Sequence, residues 1–130
     1  MSIHQEDFQA ALLADSGISA IVGTSVAADQ IDGDITPPYI VWSNPSGTGE
    51  TAHDGTRDDE FPDYRVACWA AGKSSALALA AAVVAALDGK TVAGGSNLSL
   101  AYTGQLGQYD PETKLFGEII EFQGQANSNT

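Results

Sequence analysis

Ala67-Cys68-Trp69-Ala70-Ala71-Gly72-Lys73-Ser74 has the spacing of a phosphate-binding P-loop: a small residue, four intervening positions, then Gly-Lys-Ser. In such a loop backbone N–H groups cradle the phosphates of a nucleotide and the lysine neutralises them. The elements that must position these residues point elsewhere. Tyr64 to Ala70 alternates as a strand, with Tyr64, Val66 and Cys68 on one face and Arg65, Ala67 and Trp69 on the other. The loop interior would therefore contain Cys68 and Trp69, where a cradle needs small residues. Val83-Val84-Ala85-Ala86-Leu87-Asp88 has the letters of a magnesium-binding strand but belongs to a predicted helix. Nucleotide-binding α/β folds also need several crossover units of about 30 residues each. The chain after Ser74 offers strands but no second helix, so a P-loop nucleotide-binding protein is the least favoured of three readings.

Other chemistry is sparse. His4 sits near the terminus and His53 in a polar segment, and neither position predicts the rigidly held partners of an acid–base catalyst. Asp29, Asp32 and Asp34, or Asp54, Asp58, Asp59, Glu60 and Asp63, lack the spacing and closing bidentate Glu of a calcium loop and read as solvated acidic segments. Cys68 is the single cysteine, so no internal disulfide forms, and its place in an apolar strand makes it a small core hydrophobe. Trp42 and Trp69 read as core or subunit-contact aromatics. No catalytic, cofactor-binding or metal-ligating residue is assigned.

The chain has 130 residues, enough for one core, and its 17 acidic against 5 basic residues give a formal charge of -12. Sequence-specific nucleic-acid binding depends on clustered Lys and Arg and is disfavoured. An acidic wall can still let a polyanion slide past, because it does not hold it. The N-terminus lacks the basic start and apolar run of a signal peptide, and no segment reaches the ~18 apolar residues of a membrane span. The protein is expected to be cytosolic when made, and soluble, with no membrane partner.

Phe8, Ala11, Leu12 and Asp15 recur at helical spacing, and Ile18, Ile21 and Val22, closed by Gly23, predict a further turn: a broken amphipathic N-terminal helix. Tyr39 to Ser43 is a strong strand started by Pro37-Pro38. Residues 45–62 carry Gly, Thr, Asp and Glu with little apolar content and predict an adaptable loop. After Gly72, Ser74 or Ser75 can cap a helix whose stripe is Ala76, Leu79, Ala80, Val83, Ala86 and Leu87, ended by Asp88-Gly89. Strands follow near 98–105 and 114–122, joined by a turn at Tyr109-Asp110-Pro111-Glu112-Thr113. The sum is an α+β fold: an antiparallel sheet of four to five strands with two helices packed on one face. Residues 1–123 form the single domain and 124–130 a polar C-terminal tail.

The order of these signatures resembles the bacteriophage tail-completion, or tail-terminator, family of long-tailed phages and gene-transfer particles. The matching stretches are Leu12 to Gly23, Pro38-Tyr39-Ile40-Val41-Trp42, Tyr64 to Ala70, the Ala-rich helix closing in Leu87-Asp88-Gly89, and Tyr109 to Phe116, together nearly the whole chain. Between Thr24 and Pro37 relatives carry a more apolar strand, where Asp29, Asp32 and Asp34 intrude here, which leaves the first strand's length open. The resemblance implies a ring-forming virion subunit, a hexamer, that caps the tail tube and joins the tail to the head connector while DNA passes through its lumen. Its implied partners are other copies of itself, the tail tube protein, the head connector or stopper, and DNA in non-specific passage. Asp54, Asp58, Asp59 and Glu60 are then candidate lumen or inter-ring contacts. A head-completion (stopper) protein is the alternative of similar size and charge.

Overall fold

The computed structural model describes residues 3–30, 35–45, 59–92 and 94–127. Helix α1 (Ile3–Ala14) buries His4, Phe8 and Leu12, a four-residue spacing that puts one face toward the sheet. Asp15, which the spacing placed on this stripe, leaves the helix instead and caps α2 (Ser16–Val22). Its carboxylate accepts the Ile18 N–H at 2.9 Å, an arrangement Asp favours over a helix interior. Gly23, at φ 62°, ends α2. Helix α3 (Lys73–Leu87) starts two or three residues earlier than a Ser74 or Ser75 cap would give: extended Gly72 is the cap, and Ser74 and Ser75 lie in the first turn. The predicted stripe is otherwise the buried one, with Ala76, Leu79, Ala80, Val83 and Leu87 inside and Ala86 packed partly buried against the core.

The strands are β1 (Val26–Ala28), β2 (Tyr39–Ser43), β3 (Asp59–Glu60), β4 (Asp63–Ala70), β5 (Ser99–Asp110) and β6 (Leu115–Asn127). They form one sheet in the order β1-β2-β4-β6, with β5 on the free side of β6 and β3 pairing β6 beyond β4. The α+β class is as expected; the sheet is mixed, because β1 runs parallel to β2 while every other pair is antiparallel. Asp59↔Asn127, Glu60↔Ala126 and Asp63↔Gln123 share one register. β3 and β4 are thus two parts of a single line along β6, parted at Phe61-Pro62, where the Pro62 carbonyl accepts the Gly124 N–H at 2.7 Å. β3 falls within the segment expected to be an adaptable loop, residues 46–58 of which lie outside the described residues. β6 continues through 124–127, residues expected in the polar tail, and β5 runs on to Asp110.

The helices cover one face of the sheet. Phe8 stacks on Tyr64 with ring centroids 4.0 Å apart and planes 8° from parallel, and Trp42 closes the cluster 5.3 Å from Phe8. Ile40, Val66, Cys68 and Ile120 continue this layer beneath α3, all fully buried. Burial, with the Glu118 charge second, pushes the Cys68 thiol up to about 12. A thiolate-specific reagent at mildly alkaline pH should therefore leave the native protein unlabelled and label it one-to-one in denaturant. Rapid native labelling would show that Cys68 is not in this core.

Candidate functional site

The P-loop letters converge on a different structure from the one they spell. Lys73 opens α3 and reaches across the sheet to Glu118 of β6, with Nζ 2.6 Å from Oε2. The other carboxylate oxygen of Glu118 accepts the Gln105 Nε2 at 2.7 Å from β5. The Glu118 side chain is 3% exposed and that of Lys73 51%, so one partner is buried and the other roofs it from the surface. Burial pushes the Glu118 carboxyl up, but the hydrogen bonds from Lys73 and Gln105 and the Lys73 charge outweigh it and hold the carboxyl below its ordinary value. Gly107 of β5 passes so close that an added Cβ would lie 2.8 Å from Lys73 Nζ and 3.0 Å from Glu118 Oε2. The lysine a nucleotide would require is thus tied to a carboxylate, and the motif works as a clasp joining one helix, α3, to two strands, β5 and β6.

Trp69, from the middle of the same motif, lies on the helix-free face. Its ring covers Gly117, where an added Cβ would come within 2.7 Å of it. Trp42 is on the opposite, buried face at 2% exposure, and its Nε1 donates to Gln9 Oε1 at 2.7 Å. The two tryptophans therefore do not form one site. On the helix-free face Arg65, Gly104, Leu106, Ile119 and Glu121 line a shallow groove of about 620 Å³. Arg65 Nη2 and Glu121 Oε2 pair across it at 2.9 Å, both about half exposed, a geometry worth little to stability.

His4 is held more firmly than its sequence position suggested: it is buried in α1 and its Nδ1 hydrogen-bonds the Tyr64 hydroxyl. That contact serves packing, since its ring also meets Tyr64 edge-on within the aromatic cluster. His53, Asp54 and Asp58 lie outside the described residues. Asp59 and Glu60 are placed by their backbone pairing with Asn127 and Ala126. Among the described residues no three His, Cys, Asp or Glu side chains come together as metal ligands, and no helix is long and apolar enough to cross a membrane.

Sequence reasoning missed Glu118, because nothing in Leu115 to Phe122 separates it from the exposed Glu121 or signals that α3 will roof it. It also missed the length of β5, whose sequence signal was an absence: no residue from Thr91 to Tyr109 is charged, the longest such run in the chain.

The family model for Tail completion protein gp17 matches residues 6–123. A solved chain from the virion of a native gene transfer agent particle superposes with a TM-score of 0.76, at 24% identity over 96% of this chain and 95% of that one. A second solved chain gives a TM-score of 0.56 at 15% identity, over 97% of this chain and 96% of that one. At such identities both likenesses speak for the fold alone. No curated protein sequence matches. The family match spans every element from α1 to the main body of β6, including the clasp, so the chain belongs to the Tail completion protein gp17 family and is a structural protein of the phage virion tail.

Proposed function

We propose that this subunit is the tail terminator: a hexameric ring that caps the tail tube, stops its growth and offers its other face to the head connector, with DNA passing through its lumen. The observation that carries the reading is the family match over 6–123, which covers the entire α+β core. Two features support it. The residues that spell a nucleotide site are engaged in packing and an ion pair, which favours a role in assembly over nucleotide chemistry. A charge of -12 suits a conduit for a polyanion, which moves most freely past walls that do not attract it. Asp54, Asp58, Asp59 and Glu60 are the proposed lumen or inter-ring contacts, and other copies, the tube protein and the head connector are the proposed partners.

Removal of the protein separates terminator from stopper. Particles made without a terminator should carry tails of uncontrolled length that fail to join heads. Loss of a stopper would instead leave tails of normal length and heads that leak DNA, an outcome that would replace this reading. In the same assay, Asp54→Asn, Asp58→Asn, Asp59→Asn and Glu60→Gln together should lower the yield of joined particles. A yield equal to wild type would remove these four from the contact surface.

A further inference from the structure

We propose that the outer edge of β5, from Thr103 to Tyr109, is a strand-pairing site that accepts a β-strand from a second copy of this chain; the choice of partner rests on the ring reading above. The backbone directions follow from the ladder. Leu100 exchanges hydrogen bonds with the 89–90 segment, its carbonyl accepting from Gly89 at 2.9 Å and its N–H donating to Lys90 at 3.0 Å, and Tyr102 N–H donates to Asp88 Oδ1 at 2.9 Å. The near half of the outer edge is therefore occupied by the chain itself. A bulge at Thr103 then shifts the register, so that Gln105, Gly107 and Tyr109 stand opposite Ile120, Glu118 and Phe116. These even-numbered β6 residues turn their backbone groups toward β4, as the Gly124 N–H bonded to Pro62 shows. The N–H and C=O groups of Gln105, Gly107 and Tyr109 consequently point away from β6, and among the described residues β5 pairs along this stretch with β6 alone.

Proteins that keep a long edge strand unpaired usually guard it with Lys, Pro or inward charge. This edge has the bulge and, above Gly107, the Lys73 ammonium, which Glu118 neutralises. Leu106 is 63% and Tyr109 51% exposed, and the surrounding run from Thr91 to Tyr109 has no charge, in a chain of net charge -12. That combination selects the occupant. Two copies repel wherever their acidic surfaces meet, so copies approach best along a stretch whose own residues are uncharged and whose neighbouring charges, Lys73 and Glu118, cancel. The sheet's other end, β1, spans only Val26–Ala28, so β5 offers by far the longer template for main-chain pairing.

Proline tests the edge without touching the inner ladder, because the Tyr109 N–H faces outward. Native mass spectrometry of the purified full-length chain, and of the complex released from particles, should show multi-copy species for wild type and for Tyr109→Ala, which keeps the N–H. Tyr109→Pro should reduce that multi-copy fraction about tenfold, the effect of stranding a backbone group at each contact. The double variant Leu106→Glu and Gln108→Glu, which adds like charge at two exposed positions and leaves the backbone intact, should give the same loss. Both variants assembling like wild type would overturn the β5 proposal and leave the ring reading standing. Single copies of wild type in both preparations would overturn the ring reading and this proposal with it. Intact multi-copy species that no longer attach to tails would assign the edge to another tail protein, and so also overturn it.

Discussion

Replacing Val83 by Asp is expected to leave the chain unfolded at room temperature. Val83 is fully buried on the face of α3 that meets the sheet, in one cluster with Val66, Leu79 and Ile120. The substitution removes the burial of an aliphatic side chain, about 1.5–3 kcal/mol, and inserts a carboxyl for which this apolar layer holds no partner, a further cost of roughly 2–7 kcal/mol even if it takes up a proton. The sum compares with a whole-domain stability of about 5–15 kcal/mol. Ala81→Asp, on the exposed face of the same helix, should cost only about 0.5–1 kcal/mol, the helix-propensity difference. Far-ultraviolet circular dichroism and thermal melting of the pair distinguish the outcomes, and a folded Val83→Asp protein melting as wild type would show that α3 presents a different face.

Lys73→Ala should cost about 1–3 kcal/mol at neutral pH and lower the melting temperature by about 3–10 °C. The loss arises mainly from what remains: Glu118, buried, keeps Gln105 but no cation. Because Lys73 is half exposed, its own contribution is discounted for solvent screening. The pH dependence has a definite sign. The folded Glu118 carboxyl titrates below its ordinary value of 4.5, so its stabilisation is present above that pH and is lost as pH falls through the folded value. The wild-type and Lys73→Ala melting curves should therefore converge in acid. In the variant, burial acts on Glu118 with less opposition and its carboxyl rises. A gap between the two proteins that widens in acid would contradict the clasp, and a nucleotide-dependent rise in wild-type melting that Lys73→Ala abolishes would revive the P-loop reading.

The two elements that carry these predictions were legible to different degrees. The face of α3 could be read directly, since its apolar period survives even in a helix nearly half Ala. The clasp could not: Gly72-Lys73-Ser74 announces a strand-to-helix break, but its partner lies 45 residues away on a strand whose register is fixed by long-range pairing. The hairpin of β5 and β6 exceeded its predicted length for a related reason. Alternation of apolar and polar residues reveals a strand only where one face is covered, and from Ala101 to Tyr109 nearly every residue of β5 is exposed. The backbone ladder with β6 keeps that stretch extended, and ladders leave little trace in side-chain pattern. β1 shows the opposite case: Asp29, at φ 66°, ends the strand after three residues, where the acidic intrusion had left its length open.

The common register of β3 and β4 has a consequence for how this domain can vary. The chain leaves β2 at Ser43, whose place is set by Arg65 opposite, and resumes at Asp59 on a line already fixed by β6. Both ends of the intervening stretch are therefore anchored to the same sheet, independently of how many residues join them. Lengthening a tether between fixed points costs only about 0.6 kcal/mol per doubling. The strand ladder is therefore indifferent to residues added between them, and any cost of such an insertion falls on the contacts proposed for Asp54 and Asp58.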